Sequence, residues 1–225
     1  MRYASVLICA AVLVSVCLGQ QKEGWTPLFT EDGEPKGFRV TAWDDVSKPP
    51  PKDAKWLVKD GVLHGSNPRG TWLVSEKEYG DFELELEFKI AEPGNSGIGL
   101  RFPPKGDPAF DGVELQIMGQ TYRGKDEVPK NEQTGGIYQL FEPKDPKAFK
   151  PGEWNKYHVV LKGPNLMVKL NDVLVQDVDL SQHTFKPQRG SPPSERPRKG
   201  HIGFQELSRG NTTVQIRNAR IKVIG

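Results

Sequence analysis

The chain has 225 residues, 36% hydrophobic and 27% charged, with 24 Gly, 19 Pro and a formal net charge of +2. That size suits one globular domain with a buried core and many turns. The acids and bases are interspersed, which excludes a nucleic-acid or anionic-membrane binder recruited by its field.

Met1-Arg2-Tyr3 is followed by an apolar run from Ala4 to Leu18 broken only by Ser5 and Ser15, the pattern of a secretory signal peptide. Cleavage after Gly19 leaves residues 20–225 as one mature domain. Val14-Ser15-Val16-Cys17 also approaches a lipoprotein box, but Val16 stands where a small residue belongs, so plain export to the periplasm or the exterior is the expectation. Cys9 and Cys17 both lie in this segment. The mature domain therefore carries no disulfide or thiolate chemistry, and its fold must rest on an apolar core.

Residues 24–43 predict a short apolar piece at Trp25–Phe29 and a strand at Phe38–Trp43, and the Pro49-Pro50-Pro51 run marks a loop. Asp60-Gly61 sits between Lys55–Lys59 and Val62–Gly65 as a hairpin dipeptide. Thr71–Ser75 predicts a strand and Glu76–Tyr79 a turn. Asp81–Ile90 alternates without a fault: Phe82, Leu84, Leu86 and Phe88 share one face, and Glu83, Glu85, Glu87 and Lys89 the other. The glutamate row reads as a solvated outer face rather than a metal cluster.

Asn95–Phe102 and Gly112–Ile117 predict two strands joined by a loop. Alternation sets Ile98 and Leu100 opposite Gly99 and Arg101, and Val113, Leu115 and Ile117 opposite Glu114 and Gln116. If the strands pair, an acid, an amide and a guanidinium line one groove. A structural ion pair between Glu114 and Arg101 is the lesser alternative.

Met118–Thr134 is a polar loop long enough to carry function. Gly135–Phe141, Trp154–Leu161, His201–Leu207 and Thr213–Ile224 predict strands, and Leu166–Leu170 with Val173–Val178 a hairpin around Asn171-Asp172. Ser181–Lys199, polar and Pro-rich, predicts a surface excursion over one end of a groove. No helical periodicity follows the signal peptide. A dozen strands without a repeat predict an all-β sandwich.

Standard catalytic constellations are absent. His64, His158, His183 and His201 form no HxH or HExxH pattern, no GxSxG elbow exists, and NSGIG lacks the Lys-Ser/Thr of a phosphate loop. No metal site or cofactor is expected. Asp107, Asp111 and Asp126 are loop carboxylates of the kind Ca²⁺ takes, without a recognisable ligand spacing. Laminarinase-type sandwich enzymes alternate two carboxylates on one strand, but here Glu114 is followed by Gln116, which disfavours a two-carboxylate glycosidase. A single acid suits removal of one proton instead.

The segments GWTPLF (Gly24–Phe29), DGVL (Asp60–Leu63), YGDFELELEFKI (Tyr79–Ile90), GNSGIGLR (Gly94–Arg101), GVELQI (Gly112–Ile117), TGGIY (Thr134–Tyr138), GEWNKYHVVLKG (Gly152–Gly163), LND (Leu170–Asp172), GHIGFQ (Gly200–Gln205) and IRNARIKVI (Ile216–Ile224) resemble, in order, the 3-keto-disaccharide hydrolase family. The resemblance implies a concanavalin-like β-sandwich, or jelly roll, of two curved antiparallel sheets acting on 3-keto-glycosides. A C3 ketone acidifies the C2 hydrogen, so a base removes it, the C1 substituent leaves, and hydration completes a net hydrolysis. It implies Glu114 and Arg101 as catalytic residues, and Asn95, Ser96, Gln116, Tyr138 and Gln205 as substrate-binding residues.

Met118-Gly119 and Leu207-Ser208 depart from the Asp and the His-Gly that the family often carries. If those groups are needed for chemistry, the chain is a non-catalytic carbohydrate-binding module with the same groove. A purely structural envelope domain is the remoter rival. Trp43 and Tyr122, beside polar loops, are candidate platforms for a sugar ring. Asn95 and Ser96 equally suit a turn after Pro93-Gly94, and the glycines of NSGIG close sheet approach.

Overall fold

The computed structural model describes residues 23–122, 124, 128–210 and 212–225. The signal-peptide and lipoprotein readings, both cysteines and Asp126 lie outside them. In chain order the strands are β1 (Thr26–Pro27), β2 (Phe38–Ala42), β3 (Leu57–Lys59), β4 (Val62–His64), β5 (Thr71–Tyr79), β6 (Phe82–Lys89), β7 (Asn95–Phe102), β8 (Val113–Met118), β9 (Asn155–Lys162), β10 (Asn165–Leu170), β11 (Val173–Asp179), β12 (Gly200–Glu206) and β13 (Gln215–Val223). All pairings are antiparallel.

One sheet has eight strands, ordered β11-β10-β9-β6-β13-β4-β3 with β1 beside β13, and the other five, ordered β2-β5-β12-β7-β8. The all-β sandwich of two antiparallel sheets is therefore the observed fold. Phe82, Leu84, Leu86 and Phe88 of β6 and Tyr157, Val159 and Leu161 of β9 meet Leu73, Ile98, Leu100, Leu115, Ile117, Ile202 and Phe204 of the smaller sheet in one core. Burying each such side chain contributes about 1.5–3 kcal/mol. This core takes the place of disulfides.

Two hairpins turn as their dipeptides predict. Asp60 and Gly61 have φ of 52° and 72°, and Asn171 and Asp172 have 50° and 66°. Both turns need left-handed backbone at the two central positions, where Asn, Asp and Gly are least strained. The row Glu83, Glu85 and Glu87 lies on the outer face of the larger sheet, as expected, but is not simply solvated. His158 Nε2 lies 3.2 Å from Glu83, Arg220 Nε donates to Glu85 at 3.0 Å and Arg217 Nε to Glu87 at 2.8 Å.

Three expectations need correction. Glu76–Tyr79 continues β5, because Glu78 and Tyr79 pair with His201 and Gly200. Gly135–Phe141 is a chain of turns along the free edge of β8, held by Gln116 N to Gly136 O and Tyr138 N to Glu114 O. One short helix, α1 (Pro108–Asp111), occupies the β7–β8 loop, too short for periodicity to reveal, with Asp107 accepting from Ala109 N as its cap.

The fourth correction concerns Arg101, expected beside Glu114. The β7–β12 pairing shifts register between His201 and Gly203, and Arg101 adopts a φ of 52°. The bulge breaks the alternation, so Phe102 takes the outer face and Arg101 turns in between the sheets. There its guanidinium donates to Gly80 O at 2.7 Å, Gly163 O at 2.6 Å, Leu161 O at 3.1 Å and Asp81 Oδ1 at 2.7 Å. This buried fork joins β6, β9 and β7 at one end of the sandwich. Arg101→Met should cost roughly 3 kcal/mol, since three carbonyls and a carboxylate lose their donor. Denaturant unfolding measures that loss, and Arg101→Lys should recover only part of it because an ammonium lacks the planar fork.

Candidate functional site

With Ile98, Leu100, Leu115, Ile117, Ile202 and Phe204 facing the core, Gly97, Gly99, Glu114, Gln116, Gly203 and Gln205 face outward. Strand register places them in two rows. Gly97 pairs with Gln116 and Gly99 with Glu114 on one side, while Gly99 pairs with Gly203 on the other, bringing Gln205 opposite Gly97. Phe102 lies over the second row: a Cβ on Gly99 would meet its Cε1 at 2.8 Å, and one on Gly203 its Cζ at 2.9 Å. With Trp72, Val74 and Val46 it forms a small apolar cluster on the outer face. The Trp43–Pro51 loop covers that cluster, held by Arg39 donating to Val46 O and by Trp72 Nε1 donating to Trp43 O.

Glu114 cannot stand upright beside Phe102, so its carboxyl leans onto Gly97. A Cβ at Gly97 would lie 2.0 Å from Glu114 Oε1, so no larger residue leaves room for it. Glu114 is 2% exposed, and Oε1 has no hydrogen-bond partner. Burial, and then the nearby acids Asp107 and Glu132, push its pKa well above the ordinary carboxylate range. Asp107 is itself raised to about 6 by burial, although Ala109 N and Arg189 favour its ionised form. A buried polar atom without a partner is costly. Such a cost is tolerated chiefly at sites that use the atom.

Beside this floor opens a cleft of about 450 Å³ lined by Trp43, Pro51, Arg69, Gly70, Asn95, Tyr122, Tyr138, Leu207 and Arg209. That volume admits one or two sugar rings. Trp43 is 42% exposed at the rim. Arg69 Nη2 lies 3.1 Å from the Tyr122 hydroxyl, and the Arg209 guanidinium sits 4.6 Å from the Tyr122 ring centre. Burial opposes ionisation of this phenol, but the Asn95 side chain and the charges of Arg69 and Arg209 outweigh it and lower its pKa. Asn95 keeps a buried Oδ1 without a partner.

The structure thus brings Glu114, Gln116, Gln205, Asn95 and Tyr138 to one side of the sheet, and separates Arg101 and Ser96 from them. Ser96 points inward, is fully buried and donates to Gln205 O at 2.6 Å, so it ties two strands and does not reach the cleft. Gln116 Oε1 accepts from Ile117 N at 2.9 Å. Tyr138 lines the cleft, packs on Phe110 at 6.0 Å and receives Gln139 Nε2 at 3.2 Å. Of the departing residues, Leu207 lines the cleft, while Ser208 N donates to Glu206 Oε1 at 2.7 Å.

Sequence reasoning missed Arg69, Arg209 and Glu132. Each sits in a loop without a motif, and only packing brings them to the cleft or to Glu114. The Ser181–Lys199 excursion packs on α1, with Arg196 donating to Ala109 O at 3.1 Å and Arg189 stacked 3.8 Å over Phe110. Among the described residues no group of three His, Cys, Asp or Glu is arranged to hold a metal, and no helix is long and apolar enough to cross a membrane.

Comparison with known proteins places these features in a family. A 3-keto-disaccharide hydrolase of Bacteroides thetaiotaomicron is 27% identical, the alignment covering 96% of this chain and 83% of that protein. A crystal structure from Parabacteroides distasonis, provisionally named a glycosyl hydrolase, superposes with a TM-score of 0.72 at 27% identity, over 89% of this chain and 99% of its own. The β-glucanase of Bacillus licheniformis, at 10% identity, shares the fold with a TM-score of 0.52 over 91% of this chain and all of its own. The sequence model of the 3-keto-alpha-glucoside-1,2-lyase-like domain matches residues 24–222, and the chain belongs to that family.

Proposed function

We propose that this protein is an exported enzyme that cleaves 3-keto-glycosides, with residues 1–19 directing export and Glu114 acting as the general base. The observation that carries the reading is the buried Glu114 carboxyl, its Oε1 unpartnered above side-chain-free Gly97. Desolvation and two neighbouring acids raise its pKa, which makes its ionised form a stronger base. The C2 hydrogen beside a C3 ketone is acidic enough to be removed by a carboxylate so tuned. Removal leaves an enolate whose oxygen needs positive charge close by. Arg69 and Arg209 supply it at the rim, the role expected of Arg101. Asn95 Oδ1, Gln116 and Gln205 offer hydrogen bonds to ring hydroxyls, and Trp43 offers a flat apolar face to a sugar ring.

Incubating the mature protein with a 3-keto-glucoside should release the aglycone or second sugar. Binding without release would instead establish a carbohydrate-binding module. Glu114→Gln should lower kcat by about 100-fold or more, the usual share of a general base, without lowering the melting temperature, since Oε1 has no partner to lose. Unchanged turnover would remove Glu114 from the reaction.

The pH dependence follows from the sign of the shift. A base works only when deprotonated, so kcat/KM should rise with pH through the raised pKa of Glu114, at a pH above the ordinary glutamate range. Asp107→Asn keeps the helix cap but removes a negative neighbour. That rising limb should therefore move to lower pH, which a pH–rate profile of the variant measures.

A further inference from the structure

A base beneath the substrate accounts for only half of an elimination. As the C1–O bond breaks, an alkoxide departs, and an alkoxide is a poor leaving group unless it is protonated. The second group must be an acid, must face the same cleft, and must sit about one sugar ring away from the base.

Tyr122 meets these requirements. Asn95 and Gly97 are same-face neighbours on β7, so their outward positions lie roughly 7 Å apart. The Glu114 carboxyl rests on Gly97, while Tyr122 lines the cleft together with Asn95. Carboxyl and phenol are thus spaced along one strand by about the distance that separates acid and base across a glycosidic bond, roughly 5–9 Å. Tyr122 lines the cleft, and the buried Glu114 carboxyl lies in the sheet floor beside it.

The surroundings of the phenol are built from separate elements. Arg69 comes from the β4–β5 loop and Arg209 from the β12–β13 loop, and neither guanidinium has a carboxylate partner in hydrogen-bond range among the described residues. The acids nearby are engaged elsewhere. Glu92 accepts from Gln120 N at 2.6 Å and from Thr121 N at 2.9 Å, which fixes the chain just before Tyr122, and Glu206 accepts from Ser208 N and Val214 N. Two cations and an amide therefore act on one hydroxyl, an arrangement that stabilises a phenolate once its proton has gone.

Resting on the 3-keto-glycoside reading above, we propose that Tyr122 is the general acid of the reaction, giving its proton to the departing C1 oxygen after Glu114 has taken the C2 hydrogen. The C2–H pair first becomes the enolate C2=C3–O⁻. The C3 carbonyl then re-forms, the C1=C2 bond closes and the C1–O bond breaks, its oxygen leaving with the Tyr122 proton. Water adds at C1 as the Tyr122 phenolate takes one of its protons, and Glu114 returns its proton to C2. Both residues end as they began, and the net change is hydrolysis.

The test is leaving-group dependence. Wild-type protein and Tyr122→Phe are assayed on 3-keto-glucosides whose aglycones run from an alkyl alcohol to 4-nitrophenol, with thermal melting recorded for both. The wild-type rate should vary little along the series, because an acid assists every leaving group. Tyr122→Phe should lose about 100-fold or more on the alkyl glycoside yet stay near wild type on the nitrophenyl one, which departs unassisted. The wild-type rate on alkyl substrates should fall as pH rises through a tyrosine pKa below 10, and Arg69→Gln should move that fall to higher pH. Equal losses on both aglycones, or a steep leaving-group dependence in the wild type itself, would overturn the assignment while leaving Glu114 in place. A wild-type protein inactive on the whole series would remove the underlying reading and this assignment together.

Discussion

The outer face of the five-stranded sheet is governed by a space constraint. Three of its central positions, Gly97, Gly99 and Gly203, carry no side chain, and larger neighbours fill the room they leave. Phe102 lies across two of them and the Glu114 carboxyl across the third. Because Phe102 already occupies the second row, Glu114 is driven sideways and down, out of water and away from donors. The chemistry proposed here depends on that displacement. A carboxylate standing free on the sheet would be solvated and would be a weak base at neutral pH.

Phe102 can occupy that position only because of the bulge at Arg101. Without the extra residue, alternation would send Arg101 outward beside Glu114 and Phe102 into the core. The pair would then form a salt bridge, lowering the pKa of the acid and occupying its lone pairs. With the bulge, the guanidinium fastens the two sheets at one end and the acid is left unpaired. One local shift in register thus both ties the sandwich together and keeps the Glu114 carboxyl free of a cation.

The cleft is assembled differently from its floor. β7 and β8 set Asn95, Glu114 and Gln116 rigidly, since their backbone is held by the strand ladder, by the 135–138 turns and by side chains such as Thr134 and Ser208. Trp43, Arg69, Tyr122 and Arg209 come from four separate loops, and their mutual contacts hold them over that floor. Under the proposed reading, substrate range can change through loop residues while the proposed base stays fixed, a common division between scaffold and loops.

Much was determined by the residues alone, because period-two alternation and turn chemistry are local. The all-β class, the faultless β6 strand, the Asp60-Gly61 and Asn171-Asp172 hairpins and the outward side of Glu114 and Gln116 all follow from neighbours within a few positions. The ordered motifs from Gly24 to Ile224 carried the family. What stayed hidden depended on distant contacts. The bulge that reverses Arg101 arises from its pairing with β12, about a hundred residues on, and the partner of the inward-facing Ser96 hydroxyl is a carbonyl of that same strand. The raised pKa of Glu114 and the cationic setting of Tyr122 exist only when loops far apart in the chain are packed together. Burial and Coulomb interactions act through space, so tertiary structure alone decided which acid would be unpaired and which groups would face it.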